Sequence, residues 1–347
     1  MSPKIYNTGF KVLILLLGIY IIITVTPIYF PIIIAVILAF ILNPLVNYFC
    51  RLRFGTTKLH INRSFAVLLS FLCTALLFFI MGTFVLLPII HEFDKFIMDL
   101  PTLIVRVQNI TINIQQRASM LELPSNINTI IEQGIASAAS FSADMARRIL
   151  QAFFGFASSI IQLIVVPVLT YYFLRDWRIL KDQIIMLFAT ESHSKVSKVI
   201  EEMAQVVSAY IRGQAIISII IGLIVFSGMY LSGVSYPLVL GVLAICTETI
   251  PIVGPIIGSI PAIMLAYLIS PTLAFKVILF YIIVHQLENH IIVPNIMGHT
   301  IHLHPVVVII SLLIGYQILG IVGMMVAVPV TALLRVLIKN LWITTER

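Results

Sequence analysis

From Gly213 to Leu334 the chain carries three formal charges, Glu248, Lys276 and Glu288. A stretch so long and so poor in charge cannot clothe a water-soluble surface. Across all 347 residues 60% are hydrophobic and 10% charged, against about 25% charged in an ordinary soluble domain. The length would allow two soluble domains, but apolar runs return too often for that. Lipid must therefore be the solvent for most of the surface. In lipid each backbone N–H and C=O has to be satisfied within the protein, which favours helices. An all-α, polytopic membrane protein is expected.

A crossing needs about 20 apolar residues. Phe10–Thr26 and Ile28–Phe49 supply two runs, parted by Pro27, and Ser64–Ile90 a third. From His91 to Arg148 six acids and five bases appear, with Ile104, Val107, Thr111 and Ile114 in a helical stripe. This spacing predicts helices that lie on the membrane or project from it. Gln151–Leu174 is the fourth span. Arg175–Arg212 holds six bases and five acids, and Val196, Val199, Ile200, Met203, Val206 and Val207 predict an amphipathic helix.

Beyond Arg212, spans fit Gly213–Ser232 and Ala274–Pro294. Shorter runs flank Pro251–Pro255 (Tyr236–Ile250, Ile256–Ile269) and Gly320–Gly323 (Pro305–Leu319, Met324–Leu341). Such runs suit helical hairpins that enter and leave on one side. The layout thus divides into N-terminal transmembrane helices (1–90), an extracytoplasmic amphipathic region (91–150) and a fourth transmembrane helix (151–174). A cytoplasmic amphipathic helix (175–212) and a C-terminal transport domain with broken helices (213–347) follow.

The net charge of +7 comes from bases at the ends of apolar runs. That pattern marks cytoplasmic membrane flanks and not a nucleic-acid surface. Lys4, Lys11, the Arg51–Arg63 loop, Arg175, Arg178, Lys181, Arg335 and Lys339 all fall on one side if both termini are cytoplasmic. No small-residue cleavage site follows the first apolar run, so it reads as a retained helix and not a signal peptide. Cys50, Cys73 and Cys246 lack metal or redox spacing and read as small hydrophobes.

A charge at the bilayer centre costs about 2.5–3.5 kcal/mol on insertion scales, so it marks a function or a buried pairing. Glu248 precedes Pro251, Gly254 and Pro255, which cannot share one unbroken helix. A broken helix beside a carboxylate is a recurring transporter site; a plain turn with Glu248 reaching interfacial water is the other reading. Glu288 lies among His285, Gln286, Asn289 and His290, ahead of Pro294. Helical spacing puts His285, Glu288 and Asn289 on one face, facing a helix interface or an aqueous path, unless the cluster only caps the helix near Pro294. His299, His302 and His304 straddle an irregular segment and do not make a metal site. Gly320 and Gly323 read as hinges or as points of close helix approach. No phosphate loop, catalytic triad or cofactor motif is present, so an enzyme is not expected.

Four stretches carry a family likeness: Tyr171-Tyr-Phe-Leu-Arg-Asp176; Tyr210-Ile-Arg-Gly-Gln214; Ile250-Pro-Ile-Val-Gly-Pro-Ile-Ile-Gly-Ser-Ile-Pro261; and Gln286-Leu-Glu-Asn289 through Leu303-His-Pro305 to Ala327-Val-Pro329. The chain resembles the autoinducer-2 exporter family of bacterial inner-membrane transporters. Glu248-Thr-Ile250 stands where family members often have an aromatic sequence after Asn. The resemblance implies about eight transmembrane helices, re-entrant hairpins and a polar insertion after the third span. It also implies a homo-oligomer, with a pentamer reported for the family, and an elevator-like movement of the C-terminal half.

As to activity, the resemblance implies export of an autoinducer-2-type signal driven by an ion gradient, or monovalent cation/proton antiport. Glu248, Gln286, Glu288, Asn289 and His285 would contact substrate or ion, with Pro251, Gly254, Pro255, Pro294, Gly320 and Gly323 at gates or helix breaks. A non-transporting membrane scaffold, recruiting partners through its amphipathic helix, is the alternative of another class.

Overall fold

A computed structural model describes residues 29–51, 62–81, 83, 87–99, 102, 105–106, 160–298 and 303–342. The expected first span, most of the 91–150 region, the start of the fourth span, His299 and His302 lie outside these residues. Among the described residues the regular structure is helical, with no strand. The helices are α1 (Tyr29–Arg51), α2 (Arg63–Met81), α3 (Ile160–Met186), α4 (His193–Leu231), α5 (Pro237–Glu248), α6 (Val253–Ile269), α7 (Pro271–Leu287), α8 (Val293–Met297) and α9 (Pro305–Trp342). A π-helical turn, Glu288–Ile292, joins α7 to α8, and residues 87–99 are also helical. Among the described residues five helical segments are long and apolar enough to cross a membrane, among them Pro271–Met297 and Pro305–Asn340.

Contacts divide the described residues into two compact units. The first holds α1, the start of α2 through Phe71, and α3. Leu42 and Val46 of α1 pack with Ala66, Val67 and Leu174. The buried Thr170 hydroxyl donates to the Val166 carbonyl at 2.8 Å and reaches that of Ala35 at 3.3 Å. Such a bond stitches helices where lipid offers no competing partner. At the end of the predicted fourth span Arg175 lies against the rings of Tyr171 and Tyr172, 5.2 and 4.9 Å from their centroids. It also grips Asp176 through two bonds of 2.7 and 2.8 Å. The guanidinium holds that carboxyl below the usual carboxylate range. An aromatic pair with a charged tip is what a membrane–water boundary favours.

The second unit holds the remainder. Its core is a stripe of α4, Ile217, Ile221, Val225 and Met229, closed by Leu240 and Ala244 of α5 and by Ala262 and Ala266 of α6. α4 has 39 residues and is about 58 Å long at 1.5 Å per residue, nearly twice the hydrocarbon thickness of about 30 Å. The expected amphipathic helix and the span after it are thus one rod. The change of composition at Arg212 marks a change of solvent and not a helix end. Gly213, the one flexible residue there, is held by Met297 and Ile296 at close approach. The charged half of α4 meets the end of α9, where Lys339 and Asn340 donate to Glu202 at 2.8 and 3.0 Å. Near the start of α5, Glu92 accepts from the Val239 N–H at 2.9 Å and Tyr236 donates to Asp99 at 2.5 Å.

Both expected hairpins are present. α5, with 12 residues, is only about 18 Å long and turns back through Thr249–Ile252 onto α6. α9 leaves helical geometry at Leu319 and Gly320, whose φ is +59°. Its two arms then fold together so closely that a Cβ on Gly323 would fall on the Gly315 carbonyl. Gly320 is therefore the break, whereas Gly323 is a contact point. The hairpins meet where Ile250, at the first tip, packs with Leu312 and Ala327 of the second.

The first tip is strained. Ile252 has a φ of +67°, a region that β-branched residues avoid, and its side chain is 42% exposed. Ile252→Gly is expected to stabilise the protein by about 1 kcal/mol, read as a thermal unfolding midpoint about 2–4 °C higher in detergent. A midpoint that stays put or falls would show that no strain is relieved there.

Candidate ion site at the helix break

Glu248 is the last residue of α5 and Glu288 the first after α7. Both residues are buried, 1% and 7% exposed, and face the same enclosed space. They line one small cavity of about 20 Å³ between α4, α5, α6 and α7, room for about one water-sized particle. Ile221, Val225, Ala244 and Val284 make its walls apolar, while Thr247 and Tyr281 add two hydroxyl groups.

Local sequence builds this arrangement. Glu248 can end a helix inside the protein because the turn after it satisfies its own backbone: Ile250 N–H donates to Thr247 at 3.0 Å and Gly254 N–H to Ile250 at 2.8 Å. Gln214 of α4 donates its side-chain N–H to the Glu248 carbonyl at 2.6 Å, capping one of the orphan carbonyls of a broken helix. Gly254 and Gly258 lie against Thr247, so α6 can close on α5. At the other wall the π turn widens the helix by one residue and carries Glu288. Such bulges gather at functional sites because they re-aim side chains.

Two carboxylates sharing one small, largely apolar cavity cannot both stay ionised without a counter-charge. His285 stands beside them with Nδ1 3.4 Å from a Glu288 oxygen, too far and too poorly aimed for a hydrogen bond. Its Nε2 lies 3.1 Å from the Asn289 amide. The pair therefore has two ways to settle its charge: a shared proton, or a cation held by oxygen.

The sequence-predicted residues separate accordingly. Glu248, Glu288 and His285 come together at the cavity, with Pro255 in its lining. Gln286 and Asn289 are exposed; Asn289 touches His285 from outside, and the Gln286 carbonyl pairs with His290. Pro251 sits in the hairpin turn and Gly254 in the first turn of α6, while Pro294 lies in α8 past the π turn. Gly320 and Gly323 belong to the second hairpin. Gln214, Thr247 and Tyr281 were not expected at the site. A polar residue in an apolar run was the available signal for Gln214, but nothing in sequence says which break it faces. Glu248, Glu288 and His285 share the cavity, but among the described residues no group of three or more His, Cys, Asp or Glu side chains is arranged to hold a metal ion.

Comparison with known proteins agrees with this architecture. A family model described as AI-2E family transporter matches residues 10–343. YueF of Bacillus subtilis, whose name marks it as a candidate transport protein, is 28% identical over 92% of this chain and 86% of its own. A sodium-lithium/proton antiporter of Halobacillus andaensis is 23% identical over 90% of each chain. PerM of Escherichia coli strain K12, named a candidate permease, is 24% identical over 89% of this chain and 86% of its own.

Proposed function

The chain belongs to the AI-2E transporter family, a family of membrane transporters and not of enzymes, and we propose that it exchanges a monovalent cation for protons at the Glu248–Glu288 pair. The observation that carries this reading is the pair of buried carboxyl groups lining one cavity of about 20 Å³. With one shared proton the pair bears a single negative charge. With one sodium ion and both groups ionised it bears the same charge. One ion can therefore replace one proton without changing the net charge of an apolar site, where an uncompensated charge is very costly.

Size supports the cation over a furanone-type signal. Pockets for small organic molecules are typically about 300–1,000 Å³, far above the space between these helices. Carboxylate and hydroxyl oxygens suit hard cations, and the Thr247 and Tyr281 hydroxyls offer neutral oxygens beside the two acids. The relative named as a sodium-lithium/proton antiporter favours the same assignment. The placement of basic residues supports a bacterial inner-membrane location with both termini in the cytoplasm.

The test is flux. In proteoliposomes of the full chain, an inward sodium gradient is expected to alkalinise the lumen, as protons leave in exchange. Clamping the membrane potential with potassium and valinomycin leaves the rate unchanged, because the exchange is one for one. No alkalinisation under a sodium or lithium gradient, or flux of autoinducer-2 alone, would contradict the reading.

A further inference from the structure

The cavity has no described polar lining on the α4 side, where Ile221 and Val225 face it. Yet the same face of α4 bears three polar side chains in successive turns, Tyr210, Gln214 and Ser218, the spacing that aligns residues along a helix. Tyr210 is 4% and Ser218 2% exposed. Among the described residues neither the Tyr210 nor the Ser218 hydroxyl has a hydrogen-bond partner. Between them, Gln214 is bonded to the Glu248 carbonyl, which fixes the direction of this face: it points at the end of α5 that bears the acid. Buried polar atoms in native proteins are nearly always bonded, and one left over asks for a reason. Two on one stripe, either side of the residue bonded to the Glu248 carbonyl, ask for a common reason.

Packing does not supply it. Phe and Ala would fill these two positions without burying an unbonded hydroxyl, which is unfavourable. Transfer along the stripe does. The two hydroxyls, eight residues apart, are separated by about 12 Å along the axis, a gap that a short file of waters beside Gln214 spans with ordinary hydrogen bonds. A hydroxyl both accepts and donates, so it can take a proton on its lone pair and release its own on the far side, and is not consumed. The stripe begins in the charged half of α4, near Arg212, and ends beside the cavity.

We propose that Tyr210, Gln214 and Ser218 form a hydrated proton path along α4 that joins the polar end of this helix to the Glu248–Glu288 pair. It rests on the cation/proton exchange reading above, and it separates the proton's route from the cation's. Tyr210 and Ser218 are relay groups, and Gln214 is a positioning residue that ties the path to the break.

The experiment compares the full-length protein with Tyr210→Phe, Ser218→Ala and the double variant. In proteoliposomes the double variant is expected to lose about tenfold or more of its sodium-driven proton flux, the scale of a lost proton-transfer group. Sodium affinity, measured by isothermal titration in detergent, stays within twofold of the original. Thermal unfolding midpoints stay equal or rise, and Ser218→Thr, which keeps the hydroxyl, rescues the flux lost in Ser218→Ala. Undiminished flux in the double variant overturns the path alone. So does a flux loss that follows a lowered midpoint and is not rescued by threonine, since that is a packing role. Absence of sodium/proton exchange in the unaltered protein overturns the exchange reading and the path together.

Discussion

Replacing Glu248 by Gln is expected to lower sodium-driven proton flux by at least about 100-fold while the protein stays folded. Glutamine matches glutamate in shape, so the packing around the break is kept. What goes is the second ionisable group. A cation about 4 Å from a carboxylate gains about 4 kcal/mol at an effective dielectric of 20. Each 1.4 kcal/mol is a factor of ten, so losing that attraction removes two to three decades. The site also loses the shared proton, so sodium no longer has one to displace. Stability moves the other way or not at all, because a neutral group in place of a buried acid relieves desolvation. Flux near the original level in Glu248→Gln would exclude the pair as the exchange site. A fall in flux that merely tracks a fall in the unfolding midpoint would reduce Glu248 to a structural residue.

The second large effect lies in the turn itself. A Cβ on Gly254 would fall on the Thr247 carbonyl oxygen, 2.6 Å from its carbon and 3.1 Å from the Glu248 Cα. All three are backbone atoms, so no rotamer change gives way. Gly254→Ala must push α6 off α5, and overpacking of this kind costs about 3 kcal/mol. The displaced backbone is the one that holds Glu248, so flux and stability fall together. This coupled loss differs from that of Glu248→Gln, where flux alone falls. Thermal unfolding of both variants in the same detergent separates the cases, and an unchanged midpoint in Gly254→Ala would show that the hairpin is looser than the structure indicates.

Sequence made the membrane architecture legible because lipid imposes a coarse rule on composition. Apolar runs had to be helices, and prolines and glycines in short runs had to be breaks. Glu248 and Glu288 stood out for the same reason: charge is rare there. Their pairing was not legible, since 40 positions separate them and only the packing of α5 and α7 on the shared neighbours α4 and α6 brings them together. Helical spacing grouped Asn289 with His285 and Glu288. His285 does meet both, Glu288 at 3.4 Å and Asn289 at 3.1 Å, but spacing alone does not say that Glu288 is buried and Asn289 exposed. The same kind of limit hid the length of α4, because a composition boundary at Arg212 looks like an element boundary when only residues are counted. Tyr210, Gln214 and Ser218 could be seen as polar residues in an apolar helix, but their common direction needed the Gln214–Glu248 contact.

On this reading cation and proton compete for one pair of carboxyl groups. Proton release tests it without a membrane: sodium is added to the purified chain in weakly buffered detergent, and the pH is followed. About one proton released per chain is expected, blunted equally by lithium already bound, and none from Glu248→Gln. Sodium binding with no proton released, or release that persists in Glu248→Gln, would contradict it.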